Sequence, residues 1–264
     1  MSGDHEANVI ITWDEHGDKG RVARVMMHNP ARLNVLDTSM ATQLAQSMKD
    51  VVQEEKLRAV VVTGAGDRAF IGGADIHEFS QLNPDSARTF ITNIHLACQA
   101  IRDCPVPVIA RIHGYCLGAG MEVAAACDMR IATIDSLFGM PEVQVGVPSV
   151  IEAALLPRII GWGKTNELLL TGQTITAHEA KDFGFVERLV STHALDMHLQ
   201  EWIDDIVIAA PNAVRSQKKL IRTWEDVPLD QAIEAGIDVF SEAFETDEVQ
   251  RFTAPFLNKK KKKS

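Results

Sequence analysis

The chain has 264 residues, 46% hydrophobic and 23% charged, a mix that suits one large globular domain or a domain with a small appendage. Its 26 Lys and Arg against 36 Asp and Glu give a formal charge of −10, and the run Lys259–Lys263 holds five of the positives, leaving the rest at −15. Such a body repels phosphate backbones, so nucleic-acid binding is not expected, and no apolar stretch approaches the roughly 20 residues that span a bilayer.

The opening segment, Met1–Asn8, carries Asp4 and Glu6 without Lys or Arg, unlike a secretory signal or an Arg-rich transit peptide. Val9–Thr12 and Val22–Met27 read as strands separated by the turn-rich Asp14–Gly20. From Asp37 onward, Met40, Leu44, Met48 and Val51 repeat at helical spacing behind a capping residue. Ala59–Thr63 is a short continuous apolar run, as a buried parallel strand requires. Asn83-Pro84 opens a helix with Phe90, Ile94, Cys98 and Ile101 along one face. Pro107–Ile112 is read as strand, Gly120–Cys127 as helix and Met129–Ala132 as strand. Alternation of this kind predicts an α/β core.

After about Thr176 the pattern turns helical, over His178–Phe183, Ala194–Ala209, Asn212–Trp224 and Leu229–Phe244, with Phe185–Val190 strand-like between them. The expected division is a core over 1–195, a helical region over 196–258, and a disordered lysine tail over 259–264. The four cysteines, Cys98, Cys104, Cys116 and Cys127, lack CxxC spacing and sit in apolar sequence. They predict buried free thiols in a reducing, cytoplasmic setting.

Several motifs fail on inspection. Gly64–Ala69 matches a dinucleotide fingerprint literally, but Phe70-Ile71-Gly72-Gly73 follows where a helix should begin, so a turn is expected. Gly163-Lys164-Thr165 lacks the earlier glycine of a phosphate loop, because Arg158 stands there. No zinc, calcium or HExxH spacing occurs, and no metal is expected.

Two glycine-rich elements remain: Ala69–Ile76, containing Gly72-Gly73-Ala74-Asp75, and Gly114–Glu122, containing Gly118-Ala119-Gly120. The second opens a helix whose first N–H groups lack intrahelical partners, and two such donors converging would form an oxyanion hole. Tight turns with close strand–helix packing would give the same glycines. Glu122 and Glu142, each set in apolar sequence, tip the balance toward paired acid/base groups.

FIGGADI at Phe70–Ile76, PVIARIHGYCLGAGMEVAAAC at Pro107–Cys127 and FGMPEVQVGVP at Phe138–Pro148 together resemble the crotonase, or enoyl-CoA hydratase/isomerase, superfamily. The resemblance runs over nearly the whole chain. It implies a spiral of ββα units, a C-terminal helical trimerisation region, a trimer or dimer of trimers, and an acyl-CoA substrate. Coenzyme A would enter as the thioester carrier, with no separate cofactor.

Carried over by resemblance, the oxyanion donors are the N–H groups of Ala74 and Ala119, and the two hydratase glutamates are Glu122 and Glu142. Ala119 stands where many members have glycine, which spares the backbone donor. The loop Asn29–Asn34, with Ala31, Arg32 and Leu33, matches the one that covers CoA. Asp75, Ile76 and His77 match the adenine side, with Gly72 and Gly118 beside them. Arg32 and His77 are candidates for CoA phosphates.

After Glu142 the pattern PGxGG is replaced by Pro148-Ser149-Val150-Ile151-Glu152. Val147, Ser149, Val150 and Glu152 are therefore candidates for an acyl pocket of altered shape. Glu152 also reads as an acid at the start of a helix Glu152–Ile160. Reversible hydration of a 2-enoyl-CoA is the expected reaction. The alternatives are isomerisation, thioester hydrolysis, hydration of a specialised acyl group, or a non-catalytic CoA- or RNA-binding relative. Ser149 and Val150 occupy the place where some isomerases carry an acid, which weighs against that chemistry.

Overall fold

The computed structural model describes residues 7–261, with side chains through residue 257. The chain opens with β1 (Asn8–Glu15), β2 (Arg21–His28), α1 (Thr38–Val51), β3 (Leu57–Gly64), β4 (Ala69–Ile71), α2 (Ile76–Phe79) and α3 (Pro84–Arg102). There follow β5 (Val108–Ile112), β6 (Tyr115–Leu117), α4 (Ala119–Ala126), β7 (Met129–Thr133) and β8 (Leu137–Gly139). Then come α5 (Leu156–Thr171), β9 (Thr174–Thr176), α6 (Ala177–Asp182) and β10 (Arg188–Val190). Four helices close the chain: α7 (Leu195–Ile208), α8 (Pro211–Asp226), α9 (Leu229–Glu242) and α10 (Glu248–Lys261).

Two sheets result. The larger has the order β1-β2-β3-β5-β7-β10, parallel throughout except for the β1–β2 hairpin. The smaller has the order β4-β6-β8-β9, with only β9 antiparallel. Helix starts follow local chemistry. Asp37 accepts the Met40 N–H at 2.7 Å to cap α1, and Asn83 with Ser86 forms a capping box on α3.

β3 is buried along its whole length because both its faces are covered. Val60 and Val62 join Leu44, Met48 and Ile94 of α1 and α3 in the larger core. Ala59 and Val61 pack on the other side against Leu199, Ile203 and Val207 of α7. Each such aliphatic side chain contributes about 1.5–3 kcal/mol on burial. The turn at Gly64–Ala69 leads into β4 and not into a helix, so the fingerprint there is a turn, as expected.

The buried Arg58 ties the last turn of α7 to the sheet. Its guanidinium donates to the carbonyls of Ile206, Val207 and Ala209 at 2.9, 3.0 and 2.7 Å, and to Lys19 O at 2.7 Å. The acceptors of α7 are carbonyls that no helical N–H can reach. Arg58→Leu is expected to lower stability by about 3 kcal/mol, read from the urea midpoint, because these carbonyls lose their donors. An unchanged midpoint would show that water replaces the guanidinium without loss.

Two expectations change. Glu152 does not begin an α-helix: residues Ile151–Leu155 form a 3₁₀ turn, and the α-helix starts at Leu156. α10 lies beyond the helices expected from sequence, and its backbone carries through Lys259–Lys261 of the lysine run. The rest of the expected disordered tail, 262–264, lies outside the described residues.

Candidate active site

The turn from β6 into α4 is made at Gly118, at φ 51° and ψ −121°, a conformation natural only to glycine. Its N–H donates to Gly139 O at 2.9 Å, and its carbonyl accepts from Met121 and Glu122 at 2.8 and 3.1 Å. The Ala119 N–H, one residue on, opens the helix with no intrahelical acceptor behind it. Gly120 allows α4 to press on β4, since a Cβ there would lie 2.3 Å from Ile71 O.

Across from this turn, Gly72–Asp75 runs parallel to Leu33–Leu36. Leu36 N–H donates to Gly73 O, and Asp75 N–H donates to Leu36 O, both at 2.9 Å. The Gly73–Ala74 peptide is trans, so with its carbonyl on Leu36 the Ala74 N–H is turned to the opposite side. Ala74 and Ala119 both line one cavity of about 460 Å³, within the size range of small-ligand sites.

Glu122 and Glu142 line the same cavity, whose other walls are largely apolar, with Phe90, Ile91 and Ile94 of α3 prominent. Glu122, in the first turn of α4, is only 4% exposed. Burial pushes its carboxyl well above the usual range, and the nearby charge of Glu142 adds to this. The Ala153 N–H, donating to Glu122 Oε1 at 3.3 Å, opposes the rise; Glu152 adds to it, and Val150 N–H again opposes. Glu142 sits in a 3₁₀ segment, Pro141–Val145, anchored by Gln144 Nε2 donating to Gly172 O at 2.8 Å. The Ser149 hydroxyl donates to Glu142 Oε2 at 2.8 Å.

Of the four acyl-pocket candidates, Val147 and Val150 line the cavity and Ser149 and Glu152 do not. Ser149 is turned onto Glu142, and Glu152 is buried behind Glu122 with its carboxylate on His95. No sequence signal singled out His95, which sits on α3 beside the apolar face expected there. Ser149→Ala is expected to lower turnover about tenfold with little change in KM, since it removes one hydrogen bond to a charged group. Equal turnover in wild type and variant would make the hydroxyl a bystander.

The loop with Ala31, Arg32 and Leu33 lies beside Gly72, whose N–H donates to Leu33 O at 2.8 Å. Asp75 is buried; it caps the N–H groups of His77 and Glu78 and holds Arg32 Nη2 at 2.7 Å. Ile76 and His77 are exposed, and the Arg32 side chain is nearly half exposed. Gly118 is buried against Glu142. A larger cavity, about 590 Å³, opens between Ala125–Arg130 and α8. Its charged groups already have ion-pair partners, as in Arg102–Glu225, Lys218–Asp128 and Arg130–Glu187, and neither Glu122 nor Glu142 reaches it. The two glutamates meet in the smaller one.

Known proteins resemble this chain along nearly its whole length. The family model for enoyl-CoA hydratase/isomerase matches residues 17–263. A short-chain-enoyl-CoA hydratase of Clostridium acetobutylicum is 32% identical over 257 residues, covering 97% of each chain. An (E)-benzylidenesuccinyl-CoA hydratase of Thauera aromatica is 32% identical over 213 residues, covering 80% of this chain and 83% of its own. The crystal structure of an enoyl-CoA hydratase from Bacillus anthracis superimposes with a TM-score of 0.88 at 30% identity, covering 94% and 96% of the two chains. By family model, by sequence and by fold, the chain belongs to the enoyl-CoA hydratase/isomerase family.

Proposed function

We propose that the chain adds water reversibly across the double bond of a 2-enoyl-CoA, giving a 3-hydroxyacyl-CoA. The observation that carries this reading is the meeting of Glu122 and Glu142 in one largely apolar cavity with the backbone of Ala74 and Ala119. Attack of water at the β-carbon drives an electron pair onto the thioester oxygen. The N–H groups of Ala74 and Ala119 hold that enolate charge. Glu122 takes the proton of the attacking water and Glu142 gives one to the α-carbon, so that both new bonds form on one face.

Arg32, fixed by Asp75 at the cavity's flank, and the exposed His77 are assigned to the CoA phosphates, with Ala31, Leu33, Gly72 and Ile76 along the same path. The helical region from 196 onward is assigned to assembly into a trimer or a dimer of trimers. On α9, Leu229, Ile233, Ile237 and Phe240 form an exposed apolar stripe at helical spacing, which supports such a contact. Light scattering is expected to give three or six times the 29.0 kDa chain mass, and a monomer would remove this assignment.

Loss of the enoyl-thioester ultraviolet absorbance tests the reaction directly, with crotonyl-CoA and a longer enoyl-CoA as substrates and Glu142→Gln as the control. Fast loss by wild type alone supports hydration. CoA-thioester binding without loss on any enoyl chain would move the reading to another reaction of the family.

A further inference from the structure

Behind Glu122 the segment Val150–Leu155 is built in a way that a plain loop does not require. Ile151 sits at φ 39°, in the left-handed region, where a β-branched residue is strained by about 1–3 kcal/mol. By resemblance, the glycine pair of a PGxGG loop falls on Ile151 and Glu152, and Ile151 lacks the freedom of a glycine at that φ. Strain of this kind persists when the surroundings hold it in place.

Here Glu152 supplies the hold. The residue is 6% exposed, and its Oε1 meets His95 Nδ1 of α3 at 2.9 Å. Its Oε2 is buried without a nitrogen or oxygen partner among the described residues, and the buried Cys98 thiol of α3 is the other group that meets the carboxylate. A buried carboxylate satisfied this sparingly is expensive for the fold and calls for a use. The segment it anchors directs the N–H groups of Ala153 and Val150 onto the Glu122 carboxylate.

We infer that Glu152 and His95 form a positioning pair for Glu122, fixing its carboxyl in place and setting its readiness to exchange a proton. This rests on the hydratase reading above. The His95–Glu152 contact pins the strained turn, and the turn pins Glu122. The charge of Glu152 also favours the protonated form of Glu122.

The other groups around Glu122 are few. Glu142 faces it across the cavity, Arg88 of α3 stands at the cavity wall, and the thiol of Cys98 is pushed up by burial and stays neutral. His95, its side chain 45% exposed, is the end of the pair that reaches solvent.

Glu152→Gln keeps the shape of the side chain and removes the negative charge behind Glu122, whereas His95→Gln removes the ring that meets that charge, so the two substitutions push in opposite directions. The first readout is the infrared band of protonated Glu122 in the free protein, identified by its loss in Glu122→Gln. Its titration midpoint is expected to fall in Glu152→Gln and to rise in His95→Gln. The second readout is the acidic limb of kcat/KM for hydration, which a base sets, and it is expected to move with that midpoint. Turnover in Glu152→Gln is expected to fall between about tenfold and a hundredfold with KM little changed, as misplacement of a reacting group produces.

Midpoints that stay put, or move the same way in both variants, would overturn the pairing. If Glu152→Gln does not fold, His95→Gln at the half-exposed end of the pair still decides the question. Midpoints that move oppositely in a protein unable to hydrate any enoyl-CoA would overturn the hydratase reading alone and leave the action on Glu122 standing.

Discussion

Glu122→Gln is expected to destroy hydration and, above the usual carboxylate range, to make the protein more stable. The loss follows from its place in the cavity: an amide cannot take the proton of the attacking water. Removing one positioned acid or base typically costs roughly a hundred- to ten-thousandfold in rate. The gain follows from burial. The Glu122 carboxyl has its proton affinity raised in the folded state, so the folded chain binds more protons than the unfolded one between the two pKa values. Stability therefore falls as pH rises through that window, and is undiminished below the unfolded value. A neutral glutamine, still accepting from Ala153 N–H, removes the slope.

The unfolding midpoint of the variant should exceed that of wild type at about pH 8 and converge with it near about pH 4, below the unfolded carboxyl. Hydration kept within tenfold of wild type would end the assignment of Glu122 as base. Equal midpoints at both pH values would show instead that the carboxyl is not held against its preference. Activity and stability pulling in opposite directions at one residue is what separates a functional carboxylate from a structural one.

The parts of this site that sequence made legible are those whose chemistry is local. Glu122 and Glu142 stand out because each interrupts apolar sequence, and Gly118-Ala119-Gly120 because glycine before a helix leaves free N–H groups. Asp37 and Asn83 announced α1 and α3 through their caps. The smaller sheet was not legible. Its strands are three residues each, too short for a period of two to register, and they exist through partners far along the chain, as where Leu137 pairs with Thr176. His95 and Glu152 are 57 residues apart, and neither alone differs from an ordinary surface charge. The hint was subtractive: an acid standing where the related loops have glycine.

Gly118→Ala is expected to be nearly as damaging to turnover as loss of a carboxylate, although it adds a single methyl group to a residue with no side chain of its own. Two independent effects meet there. At φ 51° and ψ −121° an L-residue is strained by about 1–3 kcal/mol, which weakens the entry into α4. The new Cβ would also lie 2.4 Å from Glu142 Oε1, so either the carboxylate or the helix start must move. Moving the carboxylate misaligns the proton donor; moving the helix start misaligns the Ala119 N–H. Loss of one such N–H donor costs roughly a hundred- to a thousandfold.

Strain alone can be subtracted with Gly17→Ala. That residue, at φ 60° in the β1–β2 turn, has open space around its missing Cβ. The two variants should lose similar stability, and only Gly118→Ala should lose turnover, with binding of a CoA thioester kept. If both kept full turnover, the oxyanion site would not be at this turn. A Gly118→Ala protein that regains turnover when Glu142 is shortened to Asp would place the damage on the carboxylate; one that does not would place it on the helix start, where the charge of the enolate has to be met.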